Sequence, residues 1–179
     1  MSMIPFRPIL TTLLTALLSL QIFAGDVPEN DATIAAIKKH AEACANAQIK
    51  LEFDKIIPYM PAKLLGFMGG AEGLTEIMTE QMAEMKRRGI TIESVKIGTP
   101  GTPQGYDGLL ACLVPQEIVM ATPQGKIATK TYLIAVSESK GDSWVFIDCM
   151  SINDQKLAIL YPPLKGRVEI PKTESKLAE

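Results

Sequence analysis

The 179-residue chain is short of the groups that announce a chemistry. Aromatic residues make up 6%, and there is one tryptophan and one histidine, His40. A zinc centre takes three or four ligands, and no second histidine exists to join the first. No phosphate loop, zinc-ligand spacing or Ser-His-Asp arrangement is visible, and no cofactor motif is read. The net charge is −2, so nothing in the charge balance draws nucleic acid, which needs clustered Lys and Arg. The longest uncharged apolar stretch, Ile9 to Phe23, has 15 residues. A spanning helix needs about 20. What is present is an ordinary globular balance, 47% hydrophobic and 21% charged, at a length that suits one domain.

Residues 1–24 read as a signal peptide, with Arg7 ahead of the apolar stretch and Ala24 as a small residue at the cleavage point. The protein is therefore expected to be exported, periplasmic or secreted, with no stable membrane insertion after cleavage. Residues 25–170 read as a single domain and 171–179 as a loose polar tail. The cysteines are Cys44, Cys112 and Cys149. An oxidising compartment allows one intrachain disulfide with one thiol left over, and three buried thiols acting as small hydrophobes is the other reading.

Helical spacing marks a first helix from about Asn30 to Ile49, with Ile34, Ile37, Ala41, Cys44, Ala45 and Ile49 on its buried stripe. Pro58 and Pro61 break the next stretch into two short pieces with a bend near Tyr59. A second long helix is expected from Ala71 to Arg88. It carries Leu74, Ile77, Met78, Met82 and Met85 on one face and Glu72, Glu76, Glu80 and Glu84 on the other. Lys86, Arg87 and Arg88 suit its negative end, and Gly89 suits a left-handed cap. The period then changes to that of strands: Ile90 to Ile97, Leu109 to Ala121, Lys126 to Ser137 and Ser143 to Met150. Gly98 to Gly108 reads as a loop. Pro115 marks a bulge or an edge. A short helix, Asp154 to Leu160, follows. Helices first and an antiparallel meander afterwards give an α+β fold, the N-terminal helices lying on one face of the sheet.

The strands are apolar on both faces, as in Leu109 to Val114 and Val145 to Ile147. Two helices cover one face. A second subunit is the expected cover for the other, giving a homodimer through the open sheet face. A curled sheet closed by the C-terminal segment is the alternative.

Several segments carry a resemblance. They are the long first helix, FDKIIPYMP, the Gly-Gly-Ala-Glu-Gly entry to the Met-rich helix, and the last-strand pattern GDSWVFIDCMS. The layout of residues 30–165 resembles the nuclear transport factor 2-like superfamily, also called SnoaL-like or cystatin-like cone proteins. The resemblance implies helices closing over a curled, cone-shaped sheet, a pocket at the mouth of the cone, and frequent dimers. Its members range from isomerases and dehydratases to transport adaptors, so it implies no single activity.

Candidate chemistry falls on few residues. Asp148 lies in an apolar strand and by alternation shares a face with Trp144, Phe146 and Met150. Lining a pocket, it would be desolvated and suited to acid–base work. Ending a strand, it would cap the following turn. Asp54 and Tyr59 form an Asp–Tyr pair suited to polarising a carbonyl or activating water. Alternatively Asp54 caps a short helix and Tyr59 packs at the bend. His40 lies one turn before Cys44, but no third group is visible to orient a Cys–His pair. Met78, Met82 and Met85, with Trp144, Phe146 and Tyr132, would line a site for a small apolar ligand or fill the core.

The reading that follows is an exported, non-catalytic cone protein that binds a small apolar ligand or serves as a dimeric structural module. An isomerase- or dehydratase-type enzyme with Asp148 or Asp54 as base is the second reading. An adaptor for another envelope protein is the third.

Overall fold

The computed structural model describes residues 31–178. The expected signal peptide lies outside them. Helix α1 spans Asp31–Ile49 and buries Ile37, Ala41 and Ala45, one per turn, so small side chains let the helix lie close to the sheet. It ends where Leu51 takes a left-handed backbone and the Glu52 N–H reaches back to the Ala47 carbonyl at 2.9 Å. The proline-broken stretch becomes α2 (Phe53–Ile56), a 3₁₀ turn (Ile57–Tyr59) and α3 (Ala62–Phe67). Helix α4 spans Gly70–Arg87. Gly73 permits the tight α3–α4 corner, because a Cβ there would lie 1.9 Å from the Met68 carbonyl oxygen. Gly89 closes α4 in the left-handed conformation, and Ile90 N–H bonds back to Met85 at 2.8 Å.

The strands are β1 (Thr91–Ile97), β2 (Gln104–Tyr106), β3 (Leu109–Thr122), β4 (Gly125–Ser137), β5 (Val145–Asp148) and β6 (Glu174–Leu177). All pairings are antiparallel. The long β3–β4 ribbon forms the middle. β1 and β2 share the outer edge of β3, and β5 and β6 share that of β4. Pro115 sits within β3 without breaking it. Its carbonyl accepts from Gly98 N–H at 2.8 Å, so its missing N–H faces the gap between β1 and β2, away from the β4 ladder.

Two elements differ from the sequence reading. The 98–108 loop contains β2, joined to β3 by Asp107-Gly108, both with positive φ as a two-residue hairpin turn requires. The tail is not loose throughout, since Glu174–Leu177 pairs with Ile127–Lys130. Buried Thr129 and Thr131 need hydroxyl partners, and Ser175 (2.9 Å) and Thr173 (3.3 Å) supply them.

Both sheet faces carry cover. On one, Ile37 and Ala41 of α1 pack with Leu110, Cys112, Val114, Ala135, Trp144 and Phe146. On the other, Ala111, Ile134, Val136, Ile147 and Cys149 meet the C-terminal segment. That segment contributes α5 (Asp154–Leu160), a 3₁₀ turn (Pro162–Leu164) and Val168. Leu157 and Leu164 are fully buried there, each a contribution of about 1.5–3 kcal/mol. The premise for a dimer through an open apolar sheet face therefore fails: the chain's own C-terminal segment covers those apolar side chains. Farther along the same face the register sets Lys96, Glu117, Lys130 and Glu174 side by side across β1, β3, β4 and β6. This ladder of alternating charge suits a solvated surface.

Candidate functional site

The residues singled out from the sequence do not converge on one cavity. Asp148 ends β5, and by alternation it lies on the α1 side with Phe146. Its Oδ1 accepts from Met150 N–H at 2.9 Å, and the Ser151 hydroxyl donates to its carbonyl at 3.0 Å, so it organises the turn after the strand. Burial raises its pKa above the usual carboxylate value, and the Met150 bond works against that rise. The strand ends at Asp148, so Met150 lies in the turn and is exposed.

Tyr59 lies between two rings, with its centroid 5.9 Å from His40 and 6.1 Å from Phe146. His40 Nδ1 is buried without a hydrogen-bond partner. Asp54 is exposed in the first turn of α2. No hydrogen bond among the described residues joins Asp54 or Asp148 to Tyr59.

Trp144 and Phe146 are buried in the α1-side core, and Trp144 Nε1 donates to the Gly141 carbonyl at 3.1 Å. Tyr132 packs on the opposite face, beside the C-terminal segment. It lines a cleft of about 360 Å³ with Lys96, Pro115, Glu117 and Lys130. These three aromatic residues therefore do not share a site.

The thiols are free and shielded. Burial pushes Cys44 up to about 11 and Cys112 to about 12. Cys149 reaches about 12 through burial and the neighbouring Asp148 charge. Few are thiolates at neutral pH, so nucleophilic work does not suit them. Cys112 and Cys149 also belong to opposite faces of the sheet. Among the described residues no cluster of three or more His, Cys, Asp or Glu is placed to hold a metal ion. None of the described helices is long and apolar enough to cross a membrane.

The Met-rich helix gives the most unusual surface. Of the 18 residues of α4, Leu74 alone is buried, at 2% exposure. Met78, Met82 and Met85 are half-buried, and Ile77 is 36% exposed. The helix packs against α2 and α3. Phe67, at the end of α3, is 65% exposed, and Leu51, just before α2, is 48% exposed. A cleft of about 890 Å³ borders the C-terminal half of α4, lined by Gln81, Glu84, Met85, Arg88 and Ile90 among others. The stripe was visible as periodicity. Phe67 and Leu51 were missed, since their exposure depends on how α3 and α4 fold back on each other.

No protein-family model matches the chain, and no curated protein matches it.

Proposed function

We propose that this is an exported, non-catalytic binding module that engages another folded protein through the apolar face of α4. The observation that carries the reading is a long amphipathic helix that buries Leu74 and leaves Ile77, Met78, Met82 and Met85 partly open, beside an exposed Phe67. Apolar surface so placed is stabilised by a partner. Methionine suits such a face because its flexible side chain adapts to the opposing surface. Export is supported by the signal-peptide pattern of residues 1–24. Membership of the nuclear transport factor 2-like superfamily is part of the proposal, supported by helices followed by a curled antiparallel sheet. A catalytic role draws less support, because Asp148 is engaged in its turn and Asp54 is exposed without a polar partner facing a pocket.

The test is site-specific photo-crosslinking in the cells that make the protein. A photoreactive side chain in place of Ile77 should give a protein adduct. The same group in place of exposed Lys140, in the β4–β5 turn, should give none. No adduct from position 77 contradicts the reading.

A further inference from the structure

We propose that Met78, Met82 and Met85 form a modification site, at which a peroxide turns the apolar stripe of α4 polar and a thiol reductant turns it back. The consequence for binding rests on the proposed reading of α4 as a docking face; the sulfur chemistry does not. Seven of the nine methionines, all but Met1 and Met3, lie among the described residues, and none of the seven is buried. The thiols show the opposite pattern. Cys112 and Cys149 are buried, Cys44 is half-buried, and burial keeps all three protonated at neutral pH. The sulfur open to a dissolved oxidant is therefore thioether, since thiol oxidation follows thiolate character and exposure.

The three methionines of α4 are close together. At 3.6 residues per turn they fall within about 60° around the helix and about 11 Å along it. Leu74, which has no sulfur to oxidise, fills the buried position of the same stripe. The helix is thus anchored by an inert side chain and presents the oxidisable ones at the surface. In the reaction a peroxide gives one oxygen to the thioether: the O–O bond breaks, an S–O bond forms, sulfur loses two electrons and water leaves. Two thiols reverse the step, taking the oxygen away as water and forming a disulfide. Each sulfoxide puts a polar group into the apolar stripe. Three of them leave Ile77 as the one aliphatic side chain among the four that the stripe holds open.

Hydrogen peroxide on the purified full protein is the probe. Peptide masses should gain one oxygen each at Met78, Met82 and Met85, with the far-UV circular dichroism unchanged. The oxidised protein should lose retention on a hydrophobic-interaction column. Changing all three to leucine, Met78→Leu, Met82→Leu and Met85→Leu, keeps volume and apolar character, so this variant should keep its retention after peroxide. Met150→Leu, which removes the 50% exposed methionine after β5, should lose retention as the parent does. Three results overturn the site: no oxygen gained at the three positions, a fold lost on oxidation, or retention that responds to peroxide alike in the parent and the triple variant. In the photo-crosslinking experiment at position 77, peroxide should abolish the adduct of the parent and spare that of the triple variant. A parent adduct that survives peroxide overturns the control of docking. No adduct before peroxide overturns the docking face itself, and the column then decides the sulfur chemistry alone.

Discussion

The Tyr161 hydroxyl donates to Glu138 Oε1 across 3.0 Å, tying the end of α5 to the end of β4. Two further contacts fasten the same segment. Arg167 pairs with Asp107 at 2.7 Å and lies 5.1 Å over the Tyr106 ring, and Lys63 Nζ donates to the Ile159 carbonyl at 2.6 Å. Together they hold the C-terminal segment against the sheet face that it covers. Tyr161→Phe keeps the buried ring and removes the bond, so it should cost about 1 kcal/mol in urea unfolding at pH 7. Burial, the Glu138 bond and the Glu138 charge all raise the Tyr161 pKa above 10.0. A raised folded-state pKa gives stability that is present below pH 10 and lost as pH rises above it. The Phe variant should therefore show a shallower loss above pH 10.

The cysteines extend the same alkaline weakness to lower pH. Their folded values lie above the ordinary 9.0 in all three cases. In the unfolded chain the thiols ionise first, so stability should fall as pH rises past 9. Urea unfolding in reducing buffer at pH 7, 9 and 10 should show the decline, and Cys112→Ala should make it less steep. A flat profile would mean that these thiols are not shielded.

Asp148 separates turn-making from acid–base work. Its folded-state pKa is raised, so the stability tied to its protonated form is lost as pH rises through that pKa, and its charge is a burden at pH 7. Asp148→Asn keeps an acceptor for Met150 N–H and removes the charge, so it should be as stable as the parent or more so. Asp148→Ala leaves that N–H without its partner and should cost about 1 kcal/mol. Thermal melts at pH 7 measure both. A strongly destabilised Asn variant would contradict the turn-making role.

Strand β6 can be removed by truncation. Deleting residues 173–179 strips the Thr129 and Thr131 hydroxyls of Ser175 and Thr173. A buried polar group left unpaired costs about 1–3 kcal/mol. Combining the deletion with Thr129→Val and Thr131→Val should recover part of the loss. A deletion without effect on urea unfolding would show that β6 is not docked.

Much of this fold is legible in local patterns. The stripe of α4 and its Gly89 cap, the β3–β4 ribbon and its Thr122-to-Gly125 turn all follow from periodicity and turn chemistry. The β2–β3 hairpin was missed by the reading of 98–108 as a loop, although its signal, Asp107-Gly108 before an apolar run, was legible. Strand β6 was not, since a polar segment becomes a strand only because Thr129 and Thr131 wait for hydroxyls. Parity placed Asp148 with Phe146, but whether that face lines a cavity or packs under α1 depends on distant elements. The same limit applied to α4. Periodicity shows that a helix has an apolar face, and only packing shows whether its own chain covers that face.

If the α4 stripe is surface held open for a partner, Ile77→Glu combined with Met82→Glu leaves the fold intact, and the melting temperature of that double variant reads this out. The dilute protein should melt within a few degrees of the parent, since Ile77 is exposed and Met82 half-buried, and neither change opens the chain's own core. Leu74→Ala, at the buried position, should fall by several degrees, as a cost of about 2–5 kcal/mol implies. A double variant that melts as low as Leu74→Ala, or lower, would mean that Ile77 and Met82 belong to the chain's own core, and the docking face would have to be abandoned.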